Sequence, residues 1–231
     1  MLEINDIHVN YGKSKVINGL SLKIEEGEKL VIMGRNGVGK TTLLKAMMGI
    51  LPCESGSISF MGNDITKTQP HERSVSGIAY VPQGREIIPD FTVEENLNLG
   101  GYAHTKAIEE QKEVVLEFFP ALREHMKRKG GVLSGGQQQQ LAISRALMSS
   151  PKVLLLDEPT EGIQPNIVAE IAHILNRVRT EMGVTIVVVE QNVRFATKVA
   201  DKFIMIQRGR IVASGTKADM TPVVMQKYLS V

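Results

Sequence analysis

The stretch from residue 29 to residue 41, KLVIMGRNGVGKT, decides the architecture of this 231-residue chain. It opens with a continuous apolar run, which is typical of a buried strand. A glycine-rich loop follows, and residues 41–48 then have helical spacing. Glycines tolerate positive φ angles and let backbone amides approach an anion closely. A strand, a glycine loop and a helix N-terminus in this order predict a phosphate-binding loop.

Within this loop, Lys40 offers a positive charge to the outer phosphates, and the Thr41 hydroxyl is a candidate magnesium ligand. An ordinary glycine turn is the alternative, but the strand before the loop and the helix after it favour a phosphate site. We expect the phosphate-binding residues to be Gly34, Arg35, Asn36, Gly37, Val38, Gly39, Lys40, Thr41 and Thr42.

The composition argues against several classes of protein. The formal net charge is +2, and there is no tryptophan, so a basic or base-stacking nucleic-acid surface is not expected. The single cysteine, Cys53, cannot form an internal disulfide, and no signal peptide or apolar run of about 18 to 20 residues is visible. We therefore expect a cytoplasmic protein that reaches a membrane through a partner.

Outward from the loop, the chain divides into three kinds of pattern. Alternating runs at residues 2–5, 7–9, 20–24 and 57–60 favour antiparallel strands. Helical spacing dominates residues 86–150, and strands alternate with helices again after residue 150. Such alternation is typical of a parallel sheet covered by helices. We predict one α/β domain over residues 1–231, with a core formed by 1–85 and 151–231 and a helical insertion at 86–150.

A second buried strand, residues 153–156, ends in the carboxylates Asp157 and Glu158. Ligands bind at the carboxyl edge of a parallel sheet, so Asp157 is placed to hold magnesium, most simply through water. Glu158 would then deprotonate the attacking water, a role that a metal-bound Asp157 could not take. Two solvated acids at the start of a loop are the alternative.

Two further residues leave alternatives open. Gln83 follows the apolar strand 78–81, and its amide could reach both metal and water, although on its own sequence context a surface loop glutamine is the simpler interpretation. Tyr11 could stack on adenine or could be a half-buried tyrosine at a strand end.

The segment LSGGQQQQL, residues 133–141, has the features of a second anion-binding site. The Ser134 hydroxyl and the amides of Gly135 and Gly136 open a helix, as an anion site requires. One bound nucleotide does not need two such anion-binding sites, so the site at residues 133–137 lacks an anion of its own. Residues 138–140 could be no more than a polar first helical turn.

Together these motifs resemble the ATP-binding cassette family, the ATPase subunits of ABC transporters. The resemblance covers essentially the whole chain. Tyr11 is at the adenine-stacking position, residues 34–41 match Walker A, and Gln83 matches the Q-loop. Residues 133–137 match the family signature, and Asp157 and Glu158 match Walker B and the catalytic glutamate. The resemblance implies a P-loop NTPase (RecA-like) core with an antiparallel β subdomain and an inserted helical subdomain. It also implies ATP and Mg²⁺ as cofactors, with Thr41, Gln83 and Asp157 near the metal.

The resemblance implies partners as well. Cassettes of this family pair head to tail, so Ser134, Gly135, Gly136 and Gln137 would contact ATP held by a second cassette, identical or different. Integral membrane permease subunits would dock around residues 85–92, with a solute-binding protein acting indirectly and no nucleic acid involved. The chain would lie at the cytoplasmic face of the cell's inner membrane as a peripheral protein.

Two positions depart from the common family pattern: Gln164 stands where most cassettes have the D-loop aspartate, and Gln191 where most have the switch histidine. Glutamine cannot carry a histidine's proton, but its amide can donate to a phosphate oxygen. We therefore expect Gln191 to contact the γ-phosphate as a catalytic residue and Glu158 to be the base.

These departures also narrow the resemblance to one branch of the family. The segments PQGREIIP, DEPTEGIQP and VVVEQN resemble cassettes of branched-chain amino acid and urea importers, and the four-glutamine run with EGIQPNI is most similar to those of urea importers. The sequence thus predicts an importer ATPase, with urea as the first solute and branched-chain amino acids as the second. A soluble cassette acting on DNA or ribosomes is a further alternative, although no sustained heptad pattern supports it.

Overall fold

The computed structural model describes residues 1–102 and 108–229. Its N-terminal part contains an antiparallel sheet of four strands in the order β2-β1-β4-β5. These strands are β1 (Leu2–Tyr11), β2 (Ser14–Ile24), β4 (Ser55–Phe60) and β5 (Asn63–Asp64). The predicted strands 2–5 and 7–9 are one strand, interrupted by a register shift at Asp6, whose φ is 47°. The antiparallel pairing expected from the alternating pattern is confirmed.

A second sheet has six strands in the order β10-β9-β3-β8-β7-β6. The strands are β3 (Lys29–Met33), β6 (Ile78–Val81), β7 (Val153–Asp157), β8 (Thr185–Val189), β9 (Lys202–Gln207) and β10 (Arg210–Thr216). All neighbours are parallel except β10, which pairs antiparallel with β9. The predicted parallel sheet is therefore confirmed, and the carboxyl ends of β3, β6, β7 and β8 lie along one edge.

The helices surround this sheet. They are α1 (Lys40–Met48), α2 (Pro70–Ser76), α3 (Val93–Gly100), α4 (Ile108–Phe118), α5 (Pro120–Arg123), α6 (Gly135–Leu147), α7 (Pro165–Met182), α8 (Val193–Val199) and α9 (Pro222–Leu229). Between β6 and β7 the elements of the described residues are helical, including a 3₁₀ turn at Gly130–Val132. Helical spacing in the sequence predicts a helix over residues 107–118, and its first residue lies outside the described range. The boundaries 86 and 150 of the insertion remain a prediction.

The central sheet is buried on both faces, which explains its continuous apolar runs. Along β7, Leu154 and Leu156 belong to the apolar cluster formed with α3, α4, α6, α7 and α8. Val153 and Leu155 belong to the cluster formed with α1 and the antiparallel sheet. The sheet edge is thus held rigidly between two packed layers, as a precise binding site requires.

An unpredicted helix, α2, is anchored by a buried arginine. The Arg73 guanidinium donates from Nη1 to the carbonyl oxygens of Ala46 (2.8 Å) and Met47 (2.9 Å). It therefore satisfies carbonyls in the last turn of α1, the helix that follows the glycine loop. Burial lowers the pKa of Arg73 from its ordinary value.

No helix in the described residues combines the length and the apolar character needed to cross a bilayer.

Candidate functional site

A cavity of about 770 Å³ opens at the carboxyl edge of the central sheet, a size suited to a small ligand. The residues lining it are Tyr11, Ser14, Val16, Asn36, Gly37, Gly39, Lys40, Thr41, Thr42, Gln83, Glu158, Glu161, Glu190, Gln191 and Asn192. Ten of the residues predicted from the sequence are among them, although they come from positions between 11 and 191 of the chain. The structure therefore brings the phosphate loop, Gln83, Glu158 and Gln191 to one place.

The glycine loop wraps the start of α1. Gly34 has a φ of 151°, and a Cβ there would collide with the carbonyl oxygen of Ile206, so this position requires glycine. Lys40 is 4% exposed, and its Nζ donates to the carbonyl oxygens of Gly34 and Arg35, both at 3.0 Å. The loop thus presents one fixed ammonium beside its backbone amides.

Three predicted loop residues do not line the cavity: Gly34 and Arg35 contribute the carbonyls that hold Lys40, and Val38 packs against an apolar cluster. Tyr11 lies at the cavity rim and is 59% exposed. It is therefore not the half-buried tyrosine of the alternative interpretation, and its ring is accessible to a flat partner.

The candidate metal ligands Thr41 and Asp157 are in direct contact. The Thr41 hydroxyl donates to Asp157 Oδ1 at 3.0 Å, and the Tyr80 hydroxyl donates to Asp157 Oδ2 at 3.2 Å. Burial raises the pKa of Asp157, while these two hydrogen bonds oppose the shift. Sequence reasoning misses Tyr80, because the tyrosine lies within an otherwise apolar strand.

A hydroxyl and a carboxylate at the end of a phosphate loop fit Mg²⁺, which takes oxygen ligands and keeps several waters. The described residues contain no group of three His, Cys, Asp or Glu side chains suited to a metal. Gln83 and Asp157 line one adjoining cavity with Thr41. The Gln83 amide, however, donates to Glu161 Oε2 at 2.9 Å and not to the metal ligands.

Glu158 makes a separate set of contacts. Its Oε1 lies 3.4 Å from Lys40 Nζ and accepts a hydrogen bond of 2.8 Å from Gln191 Nε2. Gln191 Nε2 also donates to Asn36 Oδ1 at 2.6 Å. Glu158 has a φ of 46°, an uncommon conformation for a residue with a Cβ and one that often marks functional sites. The two adjacent carboxylates therefore face different partners, as the division of roles between metal and base requires.

Glu190, the residue directly after β8, is also missed by sequence reasoning. Its side chain is buried and lines the cavity, with Oε1 accepting a 2.5 Å hydrogen bond from Thr160 Oγ1. Burial, aided by the charge of Glu158, raises the pKa of Glu190 to about 7 against the opposing hydrogen bond from Thr160. A carboxyl at the end of an apolar strand is the signal that could have found it.

The signature residues lie elsewhere. Ser134 caps α6: its Oγ accepts from the N–H of Gln137 at 3.3 Å, and Gln137 Oε1 accepts from the N–H of Ser134 at 3.0 Å. Neither these residues nor Gly135 and Gly136 line the cavity of their own chain. Ser134 is exposed, so this helix N-terminus is open to an anion from outside.

The glutamines after the signature are more than a polar first turn. Gln139 and Gln140 are 4% and 2% exposed, although both are polar. Gln138 Oε1 accepts a hydrogen bond of 3.1 Å from Arg85 Nη1, which links α6 to the loop after Gln83. The interpretation of residues 138–140 as a polar turn without further contacts is therefore wrong.

Comparison with known proteins agrees with this geometry. The family model for ABC transporters matches residues 17–161. A high-affinity branched-chain amino acid transport ATP-binding protein, BraG of Pseudomonas aeruginosa, is 41% identical over 99% of both chains. A probable branched-chain amino acid transport ATP-binding protein, LivF of Archaeoglobus fulgidus, is 35% identical over 95% of this chain and 94% of its own length.

Solved structures lead to the same family. The dimeric bacterial ABC transporter cassette MJ0796 has a TM-score of 0.85 at 25% identity, covering 94% of this chain and 99% of that one. The same cassette as a post-hydrolysis dimer bound to ADP and Pi has a TM-score of 0.80. The resemblance inferred from the motifs is confirmed: the chain belongs to the ABC transporter family and is one of its ATP-binding ATPase cassettes.

Proposed function

We propose that this chain is the ATP-hydrolysing subunit of an importer of the branched-chain amino acid class. The assignment of ATP hydrolysis is supported by one observation: Glu158 pairs with Lys40 and accepts a hydrogen bond from Gln191 at the edge of the cavity. Such a network holds a carboxylate beside the positive charge that would receive the outer phosphates.

Hydrolysis then follows from the positions of these side chains. The loop amides and Lys40 bind the phosphates of ATP. Glu158 accepts a proton from water as the water oxygen attacks the γ-phosphorus, and the bond to the ADP oxygen breaks to leave ADP and phosphate. Gln191 orients Glu158 and has no titratable proton of its own. Mg²⁺ held by Thr41 and Asp157 would neutralise phosphate charge when bound.

A second cassette, identical or different, would complete the site. The exposed Ser134 hydroxyl and the N-terminus of α6 form an anion-binding surface outside the cavity of their own chain. In a head-to-tail pair this surface would face the phosphates held by the other subunit. The likeness to a dimeric cassette supports this arrangement.

Permease subunits would dock on the helical part. Phe91, Leu99 and Tyr102 are exposed, and they line a shallow, mostly apolar depression with Glu95 and Asn98 on α3. An exposed apolar patch of this kind fits a partner helix. The patch overlaps the predicted contact 85–92 at Phe91 and extends beyond it along the chain, and it would hold the cassette at the cytoplasmic face of the membrane. Copurification of the permease subunits with this chain tests the assignment.

The solute is proposed from likeness alone, because the cassette does not touch it. The similarity to BraG and LivF supports branched-chain amino acids. Urea remains the second candidate, carried by the four-glutamine run and residues 161–167. Uptake of labelled leucine and labelled urea in a strain lacking this gene separates the two: loss of leucine uptake alone excludes urea, and loss of urea uptake alone excludes the branched-chain assignment.

The catalytic assignment is tested with Glu158→Gln, which keeps the shape of the side chain but removes the proton acceptor. We expect the ATPase rate to fall by about 100-fold or more, while ATP binding is retained. Glu110→Gln, on the exposed surface of α4, is the matched control and should hydrolyse ATP at the parental rate. Parental activity in Glu158→Gln would refute the proposed base.

A further inference from the structure

Glu190 is a buried carboxyl in the nucleotide cavity that the proposed mechanism does not use. It follows β8 directly, and its N–H donates to the carbonyl oxygen of Ile32 at 3.1 Å. Its side chain is 3% exposed, with Oε1 bonded to Thr160. Oε2 is buried and has no hydrogen-bond partner among the described residues. A charged carboxylate with one unpaired, buried oxygen is costly.

The groups that face Glu190 compensate its charge only in part. The loop after β7 presents the carboxylate of Glu158 and the Thr160 hydroxyl, and the start of the next loop presents the N–H groups of Gln191 and Asn192. From β3 comes the Ile32 carbonyl, which is engaged with the Glu190 backbone. Lys40 of α1 lines the same cavity, but its ammonium pairs with Glu158. Neighbouring carboxyls in such surroundings are held with one charged and one neutral.

We propose that Glu190 is a positioning residue that stays neutral during catalysis, with its proton on Oε2, and leaves Glu158 as the charged member of the pair. This inference rests on the proposed function, since Glu190 acts through Glu158. A neutral Glu190 limits the negative charge that meets the terminal phosphate and leaves the Lys40–Glu158 pair undisturbed. A charged Glu190 would repel ATP and would place a second negative charge beside the Lys40–Glu158 pair.

The raised pKa of about 7 places this titration within the working range of an enzyme assay. Below that pH Glu190 is neutral, and above it the side chain becomes charged. If the neutral form is the active one, hydrolysis must fall as pH rises through the pKa. A structural role alone would produce no such dependence.

The test compares the wild type, Glu190→Gln and Glu110→Gln by their kcat and KM for ATP between pH 6 and pH 9. Glutamine copies the neutral form of Glu190, so we expect similar kcat values at pH 6. We expect a roughly 30-fold higher kcat for Glu190→Gln at about pH 8.5, because little of the wild-type side chain is neutral there. Glu110→Gln should follow the wild type throughout. An unchanged pH profile in Glu190→Gln, or inactivity at every pH in a variant that still binds ATP, would overturn the proposal.

A second readout does not depend on turnover. The infrared carbonyl band of a protonated carboxyl should titrate out near pH 7 in the wild type and be absent in Glu190→Gln. In Glu158→Gln the midpoint should move to lower pH, because the neighbouring charge has been removed. A wild-type band that persists in Glu190→Gln contradicts the inference even if hydrolysis depends on Glu158. Conversely, full ATPase activity in Glu158→Gln refutes the proposed function and leaves the infrared result standing.

Discussion

At the phosphate loop, the ammonium of Lys40 is buried and contacts two loop carbonyls and the carboxylate of Glu158. At the N-terminus of α6, the Ser134 hydroxyl is exposed and accepts from the N–H of Gln137. Both segments are glycine-rich turns that open a helix, and both offer backbone amides to an anion. The difference lies in their surroundings, because four strand ends converge on the first and the second stands on the molecular surface.

This contrast teaches that the local motif does not decide how an anion is held. The phosphate loop has a cavity, a cation and hydroxyl groups within its own chain, so it can hold ATP alone. The signature residues do not line that cavity, so we expect them to add only to a phosphate that is already bound. We therefore expect nucleotide binding to precede any pairing of two cassettes.

The strongest test of the contrast is nucleotide binding by the dilute, undimerised chain. Lys40→Ala should weaken ATP binding by about 10- to 100-fold, because a charge-assisted contact is lost. Ser134→Ala should leave the affinity within about twofold, since the hydroxyl does not face the phosphates of its own subunit. Equilibrium titration with a fluorescent ATP analogue measures both, and Lys23→Ala, at an exposed ion pair, is the control. An equal loss in Ser134→Ala would end the distinction between the two regions.

The next test places the two defects in different subunits. Lys40→Ala and Ser134→Arg should each abolish hydrolysis, but a mixture should recover about a quarter of the parental rate. Half of the dimers in an equal mixture carry one of each variant, and each such dimer has one intact site. The ATPase rate of the mixture, compared with each variant alone, is the measurement. A mixture as inactive as its components would show that the signature does not act across an interface.

The smallest effect concerns Gln137, which the sequence predicts as an ATP contact and the structure uses in the cap of α6. Gln137→Ala should lower stability by about 0.5 to 1 kcal/mol, or about 1 to 4 °C in Tm. Glu72→Ala removes the equivalent residue from the cap of α2 and should cost a similar amount. Thermal unfolding and ATPase assays together separate the roles: activity should fall in Gln137→Ala alone. An equal loss of activity in Glu72→Ala would assign it to stability.

Predictions from sequence succeed where one local pattern specifies an element. The sequence predicts strands over residues 29–33 and 185–189, and the bounds of β3 and β8 agree with them, because each contains a continuous apolar run. Helix α2 escapes prediction, although Gln69 and Glu72 form a capping box around Pro70. Its anchor is the buried guanidinium of Arg73, which hydrophobic periodicity counts as a surface group.

The sequence predicts which residues form the candidate site better than it predicts the contacts between them. Phosphate loop and strand-end motifs identify Lys40, Thr41, Asp157 and Glu158 because each follows a recognisable strand. The hydrogen bond between Gln83 and Glu161 joins residues 78 positions apart and depends on tertiary packing. Burial of Gln139 and Gln140 likewise depends on what packs over α6, which no local pattern specifies.

The position of β3 within its sheet has a consequence for synthesis of the chain. Its backbone pairs on one side with Ile186–Val189 and on the other with Lys202–Met205, both near the C-terminal end. Until those segments leave the ribosome, the strand that carries the glycine loop has neither neighbour. Contacts of such long sequence separation form late, because a large loop must close first. The nascent chain therefore contains GRNGVGKT long before the strand that carries it is paired, and we expect ATP to stabilise the chain only after those segments have left the ribosome.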